Sequence, residues 1–311
     1  MLYITYQNEN GRLDFNGGSG SRPWRILEAD GLGLAGKSFN TASYPSGVGQ
    51  KTLSETVGAR SITIQCDVSS ISGYDGVTRN NRWEISKALK ILNLPGKLLI
   101  RDGQRTRKID ARCTEAVQGT RHGGYTVFAM QFVCDYPYFE DRETKTIPIF
   151  KIENLIGVGM RWYLDGDGIL RKVPIAEGTF TLPCIFSCRT SEASILNIGD
   201  VDAEPIIRIT VQGEVKTGDE AGVLIIKNET TEQQLELLCD AKDGDVITIN
   251  IPERKIYRQK TENLISYLSP SSFLSDFWLA KGENRISVIN NVSMSCIVEC
   301  EFSNKYLEAV I

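Results

Sequence analysis

Along most of this chain apolar residues alternate with polar ones, and turn-forming residues interrupt the runs at short intervals. The run Arg60-Ser61-Ile62-Thr63-Ile64-Gln65-Cys66-Asp67-Val68 alternates strictly, which predicts a strand with one buried face. Residues 2–6 and 13–15 flank Asn8-Glu9-Asn10-Gly11, the pattern of a hairpin with a Gly-containing turn. Residues 24–29 read as a further strand, 98–109 as strand, Asp-Gly turn and strand, and 127–134 as another. One segment differs. Between residues 77 and 94 the apolar positions Ile85, Ala88, Leu89 and Leu92 form a single helical stripe, with Trp83 and Ile91 on its flanks. Leu94-Pro95-Gly96 ends it, as Pro and Gly do just past a helix.

Two stretches punctuate this pattern. Residues 40–58, NTASYPSGVGQKTLSETVG, are polar and rich in Gly, Ser and Thr, with few apolar anchors. A long segment without its own core is either a mobile surface loop or an arm that reaches a partner. The second stretch, 136–150, follows Tyr136-Pro137-Tyr138-Phe139 with the charge run Glu140-Asp141-Arg142-Glu143-Thr144-Lys145 and marks a boundary. The second half repeats the strand pattern at 205–213, 223–228, 234–239, 243–250, 282–288 and 295–302. Strands at this spacing without alternating helices predict an antiparallel β-sandwich, and no repeat of fixed period is present.

A length of 311 residues suits two domains. The count of 35 Lys and Arg against 39 Asp and Glu leaves a net charge of −4, which excludes a dominant basic surface for nucleic acid. No window holds about 18 consecutive apolar residues, so no membrane-spanning helix is expected. Residues 1–8 have neither a basic nor a sustained apolar region, so a secretory leader is not expected and the chain is read as made in a reducing compartment. Its eight cysteines include no CxxC pair; they are expected to be buried free thiols, not disulfides or a zinc site. Cys184 and Cys188, and likewise Cys296 and Cys300, are spaced to share one face of a strand.

Candidate chemistry is sparse. Gly31-Leu32-Gly33-Leu34-Ala35-Gly36-Lys37-Ser38 fits both GxGxxG and GxxxxGK[ST]. A phosphate loop must be followed by a helix, but residues 39–47 carry no helical stripe and contain Pro45-Ser46-Gly47. A Gly-rich turn between strands is therefore expected. Asp165-Gly166-Asp167-Gly168 resembles the start of a calcium loop, yet Ile169 and Ala176 fall where oxygen ligands are needed. Asn228-Glu229-Thr230 and Asn291-Val292-Ser293 match the glycosylation pattern. The single histidine, His122, has neither a nucleophile elbow nor a carboxylate cluster near it. No catalytic residue, metal site or cofactor is expected. Trp162 and Trp278 are the candidate sugar-stacking residues of the second half, against the plainer reading that they are core or domain-contact residues.

Several blocks, taken in order, resemble the distal tail proteins of long-tailed bacteriophages and related prophage tail-like particles. They are Ile26-Leu27-Glu28-Ala29-Asp30-Gly31-Leu32-Gly33-Leu34, then Ala42-Ser43-Tyr44-Pro45-Ser46-Gly47-Val48-Gly49, the strand from Arg60, the helix ending Leu94-Pro95-Gly96, and Phe132-Val133-Cys134-Asp135-Tyr136-Pro137-Tyr138-Phe139. In the second half they are Leu196-Asn197-Ile198-Gly199-Asp200 and Leu279-Ala280-Lys281-Gly282-Glu283-Asn284-Arg285-Ile286. The resemblance implies a mainly β fold. Residues 1–145 would be a tail-tube-like β-sandwich or split barrel with one helix, and 150–311 a galectin-like antiparallel β-sandwich. It implies a homo-hexameric ring hub joining the tail tube protein to the tail tip and receptor-binding proteins, assembled in the bacterial cytoplasm, with DNA passing through its lumen unbound. Residues 40–58 would be the extended arm that belts the neighbouring subunit, with Tyr44, Pro45, Val48, Leu53 and Val57 at the contact. The alternative is a carbohydrate-binding host-recognition protein acting through the second sandwich, with Trp162 and Trp278 as contacts.

Overall fold

The structure, a computed structural model, describes residues 2–15, 23–69, 74–103, 105–122, 125–151, 160–164, 170–174, 189–212, 223–290 and 295–309. Cys184, Cys188, residues 165–169 and Asn291-Val292-Ser293 lie outside the described residues, as do the side chains of His122 and Trp162. The chain divides into two compact units: 1–144 with 199–201 and 303–311, and 145–198 with 202–302.

The first unit begins with β1 (Leu2–Asn8), β2 (Gly11–Phe15) and β3 (Trp24–Asp30). Then come β4 (Lys37–Ser43), β5 (Gln50–Val57), β6 (Arg60–Ser69) and the helix α1 (Tyr74–Leu92). β7 (Gly96–Asp102), β8 (Arg105–His122), β9 (Tyr125–Cys134) and β10 (Phe139–Asp141) follow. Its main sheet runs β2-β1-β7-β8-β9-β6-β3, all antiparallel. The first half of β8 pairs with β7 and its second half with β9, so one long strand carries the sheet around the core. Tyr6, Ile62, Phe128, Phe132 and Phe139 fill that core with almost no exposure, which follows from their alternate positions on strands with one inward face. Trp24 joins it through edge-on contacts to Phe15 and Phe128, at centroid separations of 6.1 and 5.4 Å.

α1 buries Ile85, Ala88, Ile91 and Leu92, and leaves Leu89 44% and Trp83 61% exposed. The expected stripe had Leu89 inside. At about 100° per residue, the buried arc centres near Ala88; Leu89 stands about 100° from it and Ile91 only about 60°. The open carbonyls at the end of α1 are met from β1 and its turn. Asn8 donates to the carbonyls of Ile91 (2.6 Å) and Leu94 (3.0 Å), Asn10 to Lys90 (2.9 Å), and the Tyr6 hydroxyl to Leu94 (2.6 Å).

The second unit contains β11 (Lys145–Lys151), the hairpin β12 (Met160–Leu164) and β13 (Leu170–Pro174), β14 (Arg189–Asn197) and β15 (Ile206–Gln212). It continues with β16 (Val223–Asn228), β17 (Gln233–Leu238), β18 (Val246–Asn250), β19 (Lys255–Arg258), β20 (Glu262–Asn263), β21 (Gly282–Asn290) and β22 (Ser295–Phe302). The antiparallel sheets β11-β22-β15-β18-β19-β20 and β14-β21-β16-β17 contribute to one core that includes Ile207, Ile209, Ile249, Phe277, Leu279 and Val288. Cys296 and Cys300 are both buried on β22, as their spacing implied. Three buried asparagines hold the segment before β21. Asn284 donates to the Ala280 carbonyl (2.7 Å) and accepts from its N–H (2.8 Å), Asn228 donates to the Trp278 carbonyl (2.9 Å), and Asn197 to Leu279 (3.1 Å).

The short strand β23 (Lys305–Tyr306) pairs with β10 and belongs to the first unit. The sequence pattern had placed residues 199–201 and 303–311 with the second half. They pack with the first because Tyr306 and Ala309 join its core, and because the Asp200 N–H donates to the Lys305 carbonyl at 2.7 Å.

Candidate functional site

β4 and β5 pair only with each other. Apart from half-buried Val57, every residue of this hairpin is exposed. A two-stranded ribbon with no core is at best marginal in water, so the hairpin is the part of the first unit most in need of a partner. The sequence pattern read 40–58 as an extended, coreless segment; the structure pairs its flanks in register from Lys37↔Val57 to Ser43↔Gln50.

The hairpin has two chemically distinct faces. Phe39 lies opposite Glu55, and Lys37 opposite Val57, with a Lys37–Glu55 ion pair of 2.5 Å between them. Leu53 is the extra residue of a bulge, where the strict alternation of side chains is interrupted. Phe39 is 55% and Leu53 60% exposed, so both offer apolar surface to solvent. The other face carries Ser38, Asn40, Ser54 and Thr56; the hydroxyls of Ser38 and Thr56 share a hydrogen bond of 2.8 Å. At the tip the Gly47 N–H donates to the Tyr44 carbonyl (2.9 Å), leaving Tyr44, Pro45 and Val48 exposed, Val48 by 81%. Of the five arm residues singled out from the sequence, Tyr44, Pro45 and Val48 form the tip, Leu53 the bulge of β5 and Val57 the root. Phe39 was missed, although it is the one phenylalanine of a polar stretch.

The root of the arm is the glycine-rich loop 31–36. It has the opposite polarity to a phosphate cradle. A phosphate loop offers N–H groups, whereas here the carbonyls of Gly31 and Gly33 accept from the Arg60 guanidinium, Gly31 at 2.7 Å. The loop leads into strand β4, not a helix, and Lys37 is occupied by Glu55. Gly31 is required for its backbone: φ is +81°, and a Cβ there would lie 2.1 Å from the Ser61 carbonyl oxygen.

Arg60 is 2% exposed. Its Nε donates to the Pro137 carbonyl (2.6 Å) and its Nη2 to the Leu307 carbonyl (2.8 Å). Its guanidinium lies 4.5 Å from the centre of the Phe139 ring. Among the described residues its hydrogen-bond partners are all backbone carbonyls, and burial holds its pKa below the usual arginine value.

Elsewhere the candidate groups are not brought together. Asn228 is fully buried with its amide engaged, so its sequon is not an acceptor in the folded chain. Trp278 is partly buried beside core residue Phe277. The described cysteines are all free, and among them only Cys113 is not fully buried. Burial raises the thiol of Cys134 to about 11 and those of Cys296 and Cys300 to about 12. No group of three His, Cys, Asp or Glu among the described residues could hold a metal ion. No helix among them is long and apolar enough to cross a membrane.

Residues 198–306 match the family of siphovirus-type tail components, over its C-terminal domain. No curated protein sequence matches the chain. The fold is similar to the crystal structure of SPP1 Dit, described as a paradigm of the hub adsorption apparatus in phages infecting Gram-positive hosts. That likeness has a TM-score of 0.64 at 12% identity and covers 98% of this chain and 99% of that one. The phage P2 baseplate in its activated conformation with Ca is similar with a TM-score of 0.46, 11% identity, and coverage of 96% and 97%. The chain thus has a mainly β fold like that of SPP1 Dit, and most of the residues that match the tail-component domain lie in the second unit.

Proposed function

We propose that six copies of this chain close a ring that joins the tail tube to the tail tip and carries the receptor-binding machinery at the distal end of the virion tail. The observation that carries this reading is the whole-chain likeness to a hub protein, 98% of this chain against 99% of that one. The coreless hairpin supports it: an arm with exposed apolar side chains on its strands and at its tip suits burial against a neighbouring copy. In this reading Tyr44, Pro45, Val48, Leu53 and Val57, together with Phe39, form the contact. The work is mechanical, and DNA passes through the lumen without specific contact. A net charge of −4 suits that passage, because a strongly basic lumen would hold the phosphates. No described geometry favours glycan recognition through Trp162 and Trp278 over this role. Electron microscopy of the purified chain tests the proposal. Particles with sixfold symmetry and an open centre are expected; single particles of monomer size at every protein and salt concentration would overturn it.

A further inference from the structure

The two strands of the arm leave and rejoin the first unit at Gly36 and Gly58, where the Gly58 N–H donates to the Gly36 carbonyl at 3.3 Å. Everything that fixes the arm's direction must act on this root. Three successive carbonyls just before it are held. Those of Gly31 and Gly33 accept from Arg60, and that of Leu32 accepts from the Ala309 N–H at 2.8 Å. Arg60 in turn reaches Leu307, so residues 307–309 hold the root both directly and through the arginine.

The segment that supplies these contacts is itself firmly seated. β23 pairs with β10 through Phe139↔Tyr306 and Glu140↔Lys305. The Arg107 guanidinium lies 3.9 Å from the centre of the Tyr306 ring and donates to the Glu308 carbonyl. The Leu307 N–H donates to the Asp200 carboxylate at 3.2 Å, and Lys305 Nζ to the Tyr136 hydroxyl at 2.5 Å. Arg107, Lys305 and Ala309 are all at most 5% exposed. A buried arginine satisfied by carbonyls from three separate chain segments has no internal substitute for any of them.

We infer that residues 303–309 are a latch that positions the arm: with Arg60 they fix the carbonyls of residues 31–33 and so set the direction in which β4 and β5 leave the first unit. The segment follows the second unit in the chain. The root is therefore complete only after residues 202–302 have been made and 303–309 have returned to the first unit, across 247 positions between Arg60 and Leu307. Arm positioning, and with it ring assembly, becomes conditional on a complete second unit. The step from arm to ring rests on the hub reading above; the latch does not.

Hydrogen exchange at the arm root, read on dilute protein, tests the latch in two variants: a chain ending at Phe302, and Ala309→Arg in the full chain. Both are expected to exchange the amides of residues 34–58 at least about tenfold faster than the parent chain, with a clearly smaller change in β8 and β9. A peptide of residues 303–311 added to the shortened chain is expected to restore protection. Unchanged root exchange in both variants would overturn the latch. So would an equal loss of protection across the whole first unit in both, since the segment would then be ordinary core. Ring formation is scored in parallel. A shortened chain that forms rings as readily as the full chain would overturn the assembly role. If the full chain forms no ring while the root exchange still responds, the hub reading fails and the latch stands.

Discussion

Replacing Arg60 with methionine keeps most of the side-chain volume and removes the guanidinium, so it isolates the carbonyl network. The Pro137 carbonyl bond is buried, and leaving it without a donor costs about 1–3 kcal/mol. The bonds to Gly31, Gly33 and Leu307 are only part-buried, so water replaces them at about 0.5 kcal/mol each. Loss of the contact over Phe139 adds about 1 kcal/mol. Against this stands the relief of no longer desolvating a cation, the burial that lowers the Arg60 pKa. The net loss is about 3 kcal/mol, with neighbouring terms not strictly additive. For a unit of this size about 2–4 °C accompanies each kcal/mol, so the first unit should melt about 6–12 °C lower. Arg60→Lys keeps the charge but not the planar fork, and should recover little of the loss. Scanning calorimetry, in which the second unit's transition serves as an internal control, reads the shift. A melting temperature within about 2 °C of the parent would refute the claim that this network holds the first unit together.

The arm should separate assembly from folding. Phe39→Ser with Leu53→Ser is expected to weaken self-association at least about tenfold in sedimentation while leaving the melting temperature of the dissociated chain unchanged, because neither side chain contributes to a core; Asn40→Ser, on the face opposite to Phe39, should leave both unchanged. Asn284→Ala removes two part-buried hydrogen bonds to the Ala280 backbone and leaves the buried Asn228 amide without one acceptor, and should destabilise the second unit by about 2–4 kcal/mol in urea unfolding. The buried thiols predict the alkaline limit of stability. Their folded pKa values lie above the ordinary thiol value of 9.0, so the folded state binds more protons above that pH. Stability should hold below pH 9.0 and fall as pH rises through about 11 and about 12, and a thiol reagent at pH 8 should modify Cys134, Cys296 and Cys300 only after denaturation.

The parts of the fold that depend on neighbours in sequence were legible. The turn at Asn8-Glu9-Asn10-Gly11, the Asp102-Gly103 turn between β7 and β8, and the stop of α1 at Pro95-Gly96 each carry a local signal. The failures share a cause. Leu89 and Ile91 are equally apolar, and only the packing of α1 decides which is inside. Arg60 reads as the first residue of an alternating strand. Nothing nearby announces that it is buried, because its partners lie at 31, 33, 137 and 307. Asn284 resembles any polar residue before a strand until Ala280 folds back on it. The glycine-rich motif was legible as a turn because residues 39–47 cannot form a helix, but its polarity depends on which way the carbonyls of Gly31 and Gly33 point. Residues 303–309 could not be assigned to the first unit from pattern alone, since β23 is two residues long and its partner β10 is far away in sequence.

Native mass spectrometry of the intact chain tests the central claim most directly. Six copies of a 34.6 kDa chain weigh about 208 kDa, and a dominant species of that mass, lost on Phe39→Ser with Leu53→Ser, is the expected result. A spectrum holding only the 34.6 kDa chain across the accessible range of concentration and salt would contradict the hub.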